Sequence, residues 1–257
     1  MTGSLRFARH QVDLWRRSWY GSAFSTFVAP VLYLASIGLG LGSLIADGGA
    51  SEALGGVTYA AFAGTGLMAG AAMQTGAGEM AWPVLGSIKY TRTWLAAVAT
   101  PLRPVDLLGG KALLLLAKLT VSSGVFAVVL AALGLVDPRG AAAAVVPAVL
   151  TGMAVGMSLF AVTVTAQKDF TLSSVFRFGV VPMFILSGTF LPVSELPDLA
   201  RPLAVASPLY HGVELLRAAA LDIAPAWPWP AHVAFLAAWT AVSAVVGERM
   251  LRRRLHP

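Results

Sequence analysis

Residues 145–166 read VVPAVLTGMAVGMSLFAVTVTA, an uninterrupted run with no charged side chain. A helix needs about 20 such residues to cross roughly 30 Å of hydrocarbon, so this run is read as a membrane span. Runs of the same kind recur at 24–45, 58–78, 119–136, 175–191 and 232–247. Six spans account for the composition: 57% of the 257 residues are hydrophobic and 12% are charged, against about 45–50% and about 25% in an ordinary soluble domain. The expected fold is all-α, a polytopic membrane protein in which residues 1–257 form a single transmembrane domain with six transmembrane helices. The first run follows a basic stretch (Arg6, Arg9, Arg16, Arg17) and is longer than the ~7–15 residues of a signal-peptide core, so it reads as a retained span.

The distribution of Lys and Arg sets the orientation. Four stand before the first run (Arg6, Arg9, Arg16, Arg17), five between the second and third (Lys89, Arg92, Arg103, Lys111, Lys118), two between the fourth and fifth (Lys168, Arg177) and four after the last (Arg249, Arg252, Arg253, Arg254). The other side holds Arg139, Arg201 and Arg217, and its first loop carries Asp47 and Glu52 without a base. Basic residues concentrate in cytoplasmic loops, so both termini are expected in the cytoplasm and the protein in the cytoplasmic (inner) membrane. The net charge of +6 is then explained by ends that lie beside anionic lipid, and no nucleic-acid partner is expected. Lys118 and Arg177, at the inner ends of their spans, are expected to snorkel to the headgroups. There is no Cys, so no disulfide framework or thiolate metal site is available.

Two connections are too long for simple turns. In the cytoplasmic segment 79–111, residues 87–99 wound at 100° per residue place Ile88, Thr91, Trp94, Leu95 and Val98 on one arc and Lys89, Arg92 and Thr93 on the other. That pattern predicts a helix lying in the inner interface, ended by Pro101 and Pro104. The outer segment 192–230 is broken by Pro192, Pro197, Pro202, Pro208, Pro225, Pro228 and Pro230. Within it Leu209, Val213, Leu216 and Ala220 share one helical face, with Tyr210, Glu214 and Arg217 on the other, so a proline-broken hairpin is expected on or in the outer leaflet. Trp227 and Trp229 mark the outer interface before the last span; Trp15, Trp19 and Tyr20 mark the inner one before the first.

Small residues recur inside the spans: Gly38, Gly40 and Gly42 in the first, Gly66 and Gly70 in the second, Gly152 and Gly156 in the fourth. They permit close helix contact, read here as packing within one subunit rather than as a dimer seam. Gln74 lies inside the second span and Glu79 at its inner end, and the two are a candidate polar seam along a path; the plainer expectation for Glu79 is a solvated, helix-terminal carboxylate near the headgroups. The four His (His10, His211, His232, His256) have no tight ligand spacing, so no metal site is expected. No serine sits in a Gly-x-Ser-x-Gly turn. Gly110-Lys111 lacks the rest of a phosphate-binding loop. His211 and Glu214, three apart, would be the pair required by an intramembrane enzyme; a surface hydrogen bond is the simpler reading. With no acid at mid-membrane, a proton-driven carrier is disfavoured; energy then has to come from a partner, or the protein does no active transport.

Six spans, cytoplasmic ends, an interfacial helix between spans two and three and a broken hairpin before span six resemble the membrane subunit of ABC-2 type exporters. Locally, LSGTFLPVSELP at 186–197 running into ASPLYHGVELLR at 206–217 looks like the family's passage from span five into its outer re-entrant hairpin. TPLRPVDLLGGK at 100–111 resembles its cytoplasmic entry into span three. Within the family the nearest likeness is the branch of nodulation lipo-oligosaccharide and daunorubicin-resistance permeases. The resemblance implies a permease that dimerises, with itself or a paralogous permease, and recruits a separate ABC ATPase subunit. This chain then binds no cofactor, and ATP and Mg belong to the partner. Carried onto this sequence, residues 88–98 match a coupling helix: Lys89 and Arg92 facing the ATPase, Trp94 and Leu95 anchoring in lipid, Ile88 and Val98 on the same arc. Residues 1–23 match the family's interfacial helix, with Phe7, Val12, Leu14, Trp15 and Trp19 as apolar anchors and Arg16 and Arg17 toward lipid or partner. Pro192, Pro197, Pro208, Tyr210, His211, Glu214 and Arg217 belong to the cap of the outer mouth. The implied function is export of an amphipathic, lipid-like, glycolipid or drug substrate along a path through spans one, two and five; the alternative is an ATP-independent carrier or channel.

Overall fold

The computed structural model describes residues 3–17 and 56–255; the first expected span, its Gly38, Gly40 and Gly42, and Trp19 lie outside them. Among the described residues every regular element is helical: α1 (Gly3–Arg17), α2 (Tyr59–Lys89), α3 (Thr93–Val98), α4 (Pro104–Ala132), α5 (Pro138–Thr163), α6 (Asp169–Leu186), α7 (Arg201–Val205), α8 (Pro208–Leu221) and α9 (Trp229–Leu255). Helices α4, α5, α6 and α9 are each long and apolar enough to cross a membrane.

Local chemistry sets the helix ends. The Thr58 hydroxyl accepts the Ala61 N–H at the start of α2, and Asp137 accepts the Arg139 N–H before Pro138 opens α5. Both are side-chain caps for the N–H groups that a first turn leaves unpaired. Helix α4 closes on a Schellman turn. Gly134 takes φ +68, its N–H reaches Ala131 O, and the Leu135 N–H reaches Leu130 O. The expected spans are therefore short of the real helices: α2 runs on from 78 to Lys89, α4 starts fifteen residues before 119, and α9 continues to Leu255. Polar side chains kept these helix ends out of the apolar windows, although intrahelical hydrogen bonding continues through them.

Helix α5 is the hub, with α2, α4, α8 and α9 packed around it. The α2–α5 crossing depends on glycine. A Cβ on Gly76 would lie 2.1 Å from Gly152 O, and one on Gly152 would lie 2.8 Å from Ala72 O, so the backbones touch with nothing between them. Helix α9 is held to α5 by Trp239 Nε1 donating to Ser158 Oγ (2.7 Å) and, at its end, by Arg254 Nη1 donating to Val164 O (2.6 Å) and Ala166 O (2.9 Å). That guanidinium caps the carbonyls just past the end of α5. Helix α6 is irregular, with π geometry over Phe176–Val180 just before Pro182, and it exposes Phe178, Val181 and Ile185. The bundle thus has two ends. One carries α1, α3, the start of α4 and the arginines of α9, and is called the basic end; the other carries α7 and α8, the hairpin end.

Candidate functional site

The basic end is built around an interruption. The N–H groups of Tyr90 and Thr91 both reach Gly86 O (3.0 Å each), and the Thr91 hydroxyl donates to the same carbonyl (3.3 Å). Arg92 then turns left-handed at φ 51, a conformation that costs a non-glycine residue about 1–2 kcal/mol. A new helix starts at Thr93. The expected single amphipathic helix over 87–99 is therefore corrected to two elements, the last turn of α2 and the six-residue α3. Threonine hydroxyls competing for α2 carbonyls end the first helix, and the periodicity of 100° per residue is lost across the turn.

The interruption changes where each side chain points. Trp94 does not anchor in lipid: its ring is 1% exposed and wedged between Phe7 of α1, edge-on at 6.1 Å, and Phe160 of α5, also at 6.1 Å. Ile88 is buried and Val98 half-buried against the same core. Lys89 Nζ donates to Asp169 Oδ1 at 2.9 Å, and Tyr90 Oη to the other oxygen of that carboxylate; α2 is thereby latched to α6. Arg92 and Leu95 remain on the surface. Of the six residues expected to couple, these two present themselves outward without an intrachain ion pair among the described residues.

Helix α1 lies on α4. Phe7 is buried, and a Cβ on Gly110 would meet its ring at 2.7 Å and Ala8 N at 2.9 Å. Ser4 Oγ donates to Asp106 Oδ1 (3.1 Å). The half-buried Trp15 sits beneath the Lys118 ammonium, 5.5 Å from its ring centroid. The side chains of Leu14, Arg16 and Arg17 lie outside the described residues.

Between α2 and α4 sits a buried charge cluster that the sequence did not reveal. Lys118 Nζ donates to Glu79 Oε1 at 2.6 Å, and Lys111 Nζ to Glu79 Oε2 at 3.2 Å; the lysine side chains are 13% and 5% exposed. Glu79 is thus not terminal, and its half-buried carboxylate is paired with both lysines, so Lys118 does not snorkel. Nor do Gln74 and Glu79 form a seam: five residues apart on a helix, they point about 140° away from each other, Gln74 to the surface and Glu79 to α4. The available signal was the spacing of Lys111 and Lys118, seven apart and so on one face of α4.

At the hairpin end Pro192 precedes a single 3₁₀ turn at Val193–Glu195, Pro197 O accepts the Ala200 N–H, and Pro208 opens α8 behind its Ser207 cap. Helix α8 is buried on more than its apolar face. Leu209, Val213 and Leu216 are fully buried; Tyr210 and Arg217, expected on the opposite face, are buried as well, and so is His211. The Arg217 guanidinium donates to Gly188 O (2.6 Å) and lies 3.4 Å over the Phe62 ring. Those contacts supply acceptors and a π face for a charge that burial would otherwise penalise. His211 and Glu214 do not act on each other. Glu214 accepts the Ala226 N–H (2.7 Å), while His211 Nδ1 meets His232 Nδ1 at 2.8 Å and its Nε2 lies 3.0 Å from Val205 O. A carbonyl only accepts, so His211 carries its proton on Nε2, and its Nδ1 accepts a hydrogen bond from the Nδ1–H of His232. Among the described residues no group of three potential metal ligands occurs.

Comparison with known proteins agrees with this architecture. The chain is 29% identical over 247 residues to nodulation protein J of Rhizobium leguminosarum bv. trifolii, covering 96% of this chain and 92% of that one. It is 28% identical over 248 residues to nodulation protein J of Sinorhizobium fredii (96% and 92% covered), and 26% identical over 251 residues to that of Neorhizobium galegae (95% and 93%). The family description "ABC-2 type transporter" matches residues 6–221, a stretch that takes in α1, the interruption at Arg92, the Glu79 cluster and the hairpin, and the chain belongs to that family, as a multi-pass membrane component of a transporter.

Proposed function

We propose that this chain is the permease subunit of an ABC exporter, powered by a separate ATPase docked on its basic end, and that it moves an amphipathic, lipid-like, glycolipid or drug substrate outward across the cytoplasmic membrane. Family membership implies the ATPase partner. The observation that carries the rest is the construction around α3. Arg92 and Leu95 are offered at the surface, while the next side chain inward, Trp94, is wedged against α1 and α5. A push on α3 therefore acts on the hub of the bundle rather than on a loose loop, and Lys89–Asp169 passes it to α6. The basic end faces the cytoplasm in this reading, in keeping with the positive-inside bias. The apolar surfaces of α4, α6 and α9 suit a greasy cargo. Two copies, or this chain with a paralogue, enclose the path.

The test is co-purification from cells expressing the permease with its ATPase, followed by transport in vesicles. Arg92→Glu combined with Leu95→Glu is expected to release the ATPase and abolish ATP-dependent export while leaving the permease folded. Export by the permease alone, with no ATPase present, refutes the reading in favour of an ATP-independent carrier or channel.

A further inference from the structure

At the basic end, Arg103 before α4 and Arg252 and Arg253 at the close of α9 line, with Pro104, a cleft of about 600 Å³. Two carboxylates stand beside it. Glu248 pairs with Arg252, and Asp106 accepts the main-chain N–H of Arg103 and the hydroxyl of Ser4. Among the described residues Arg103 and Arg253 have no ion pair, so the cleft keeps a positive excess. Arg254, by contrast, is held by the carbonyls just past the end of α5.

The surface below the cleft is apolar in a particular way. On α9, residues 242, 245, 249 and 252 follow the three-and-four spacing that defines one helical face. Val242 and Val245 are exposed, at 62% and 49%, and Arg249 and Arg252 continue the same exposed stripe to the helix end. Both α4 and α9 are long and apolar enough to cross a membrane, so the cleft lies where they leave the hydrocarbon, at headgroup depth. Guanidinium groups bind phosphate oxygens in paired hydrogen bonds.

We infer that the cleft between Arg103 and Arg252–Arg253 holds the phosphate of an anionic phospholipid whose acyl chain lies along the Val242–Val245 stripe of α9. An acidic protein segment would match the arginines but would have no use for the valines beneath them, whereas a phospholipid uses both. The inference goes beyond the proposed exporter reading and does not need the ATPase.

The full-length permease, purified alone in detergent, is titrated with phosphatidylglycerol and with phosphatidylcholine, and bound lipid is read by native mass spectrometry. Phosphatidylglycerol is expected to bind preferentially. Each arginine near anionic lipid contributes about five-fold in affinity, so Arg103→Gln with Arg253→Gln is expected to weaken that binding roughly 25-fold. Lys168→Gln with Arg177→Gln, which removes the same charge away from the cleft, is expected to change it less than about five-fold. Should the glutamine double variant fail to fold, Arg103→Lys with Arg253→Lys keeps the charge but loses the paired geometry, and an intermediate loss is expected. Equal affinity for the two lipids, an equal loss in the control variant, or displacement of phosphatidylglycerol by excess inorganic phosphate overturns the inference. So does a cleft variant that retains the lipid but loses the ATPase on co-purification.

Discussion

Removing the charge of Glu79 should be far more damaging than removing either of its partners. Glu79 is shared by two lysines at 2.6 and 3.2 Å whose side chains are 13% and 5% exposed, so the cluster is one anion to two cations. Glu79→Gln preserves shape but leaves two ammonium groups facing each other in the bundle. Each attraction lost is roughly 5 kcal/mol before desolvation, at an effective dielectric constant of about 20. Breaking a buried pair by removing one partner costs about 3–5 kcal/mol net, and with Glu79 itself 21% exposed the lower end applies. For a chain of this size that corresponds to about 10 °C in apparent melting temperature. Lys111→Met instead leaves a neutral Glu79–Lys118 pair, so its cost is expected to stay below about 1.5 kcal/mol. The double variant Glu79→Gln/Lys111→Met should then recover about half of what Glu79→Gln lost, because one cation no longer repels another. Thermal unfolding of detergent-solubilised protein, followed by size-exclusion fluorescence, measures all three. If Lys111→Met proves as harmful as Glu79→Gln, or the double variant is worse than both, the shared-anion account is wrong.

Other outcomes follow from the same contacts. Gly76→Ala, which places a Cβ 2.1 Å from Gly152 O, should lower stability by about 1–3 kcal/mol, while Gly78→Ala, with nothing within 4 Å, should be neutral or raise it by up to about 1 kcal/mol; the same thermal assay separates them. Trp94→Ala should cost about 3–5 kcal/mol and expose the chain near Arg92 to trypsin, since it empties the contact among α1, α3 and α5; unchanged proteolysis contradicts the wedge. Arg92→Gly relieves a left-handed residue at φ 51 and should stabilise by about 1 kcal/mol, yet it should weaken ATPase co-purification.

Some of this protein was legible in the sequence alone. Continuous apolar runs mark membrane helices because a bilayer leaves the backbone no other way to pair its polar groups, and 145–166 therefore announced α5 without reference to anything else. The proline-broken segment before the last span was equally plain, since proline punctuates locally. Other features depended on the assembled bundle. Lys118 and Glu79 each looked like a residue at the end of an apolar window; only the continuation of α2 and α4 past those windows brought them face to face. Tyr210 and Arg217 fell on the polar side of a helical wheel, but a wheel describes one contact face, and α8 is enclosed by α2, α5 and α9. The family resemblance implies a lipid anchor at Trp94, on a helix that the periodicity carries across Arg92 as if it continued. The destination of Trp94 was decided by a left-handed turn and by the gap between Phe7 and Phe160. Periodicity reports the burial demands of a single helix, whereas which charge meets which, and which aromatic fills which gap, depends on neighbours far away in the chain.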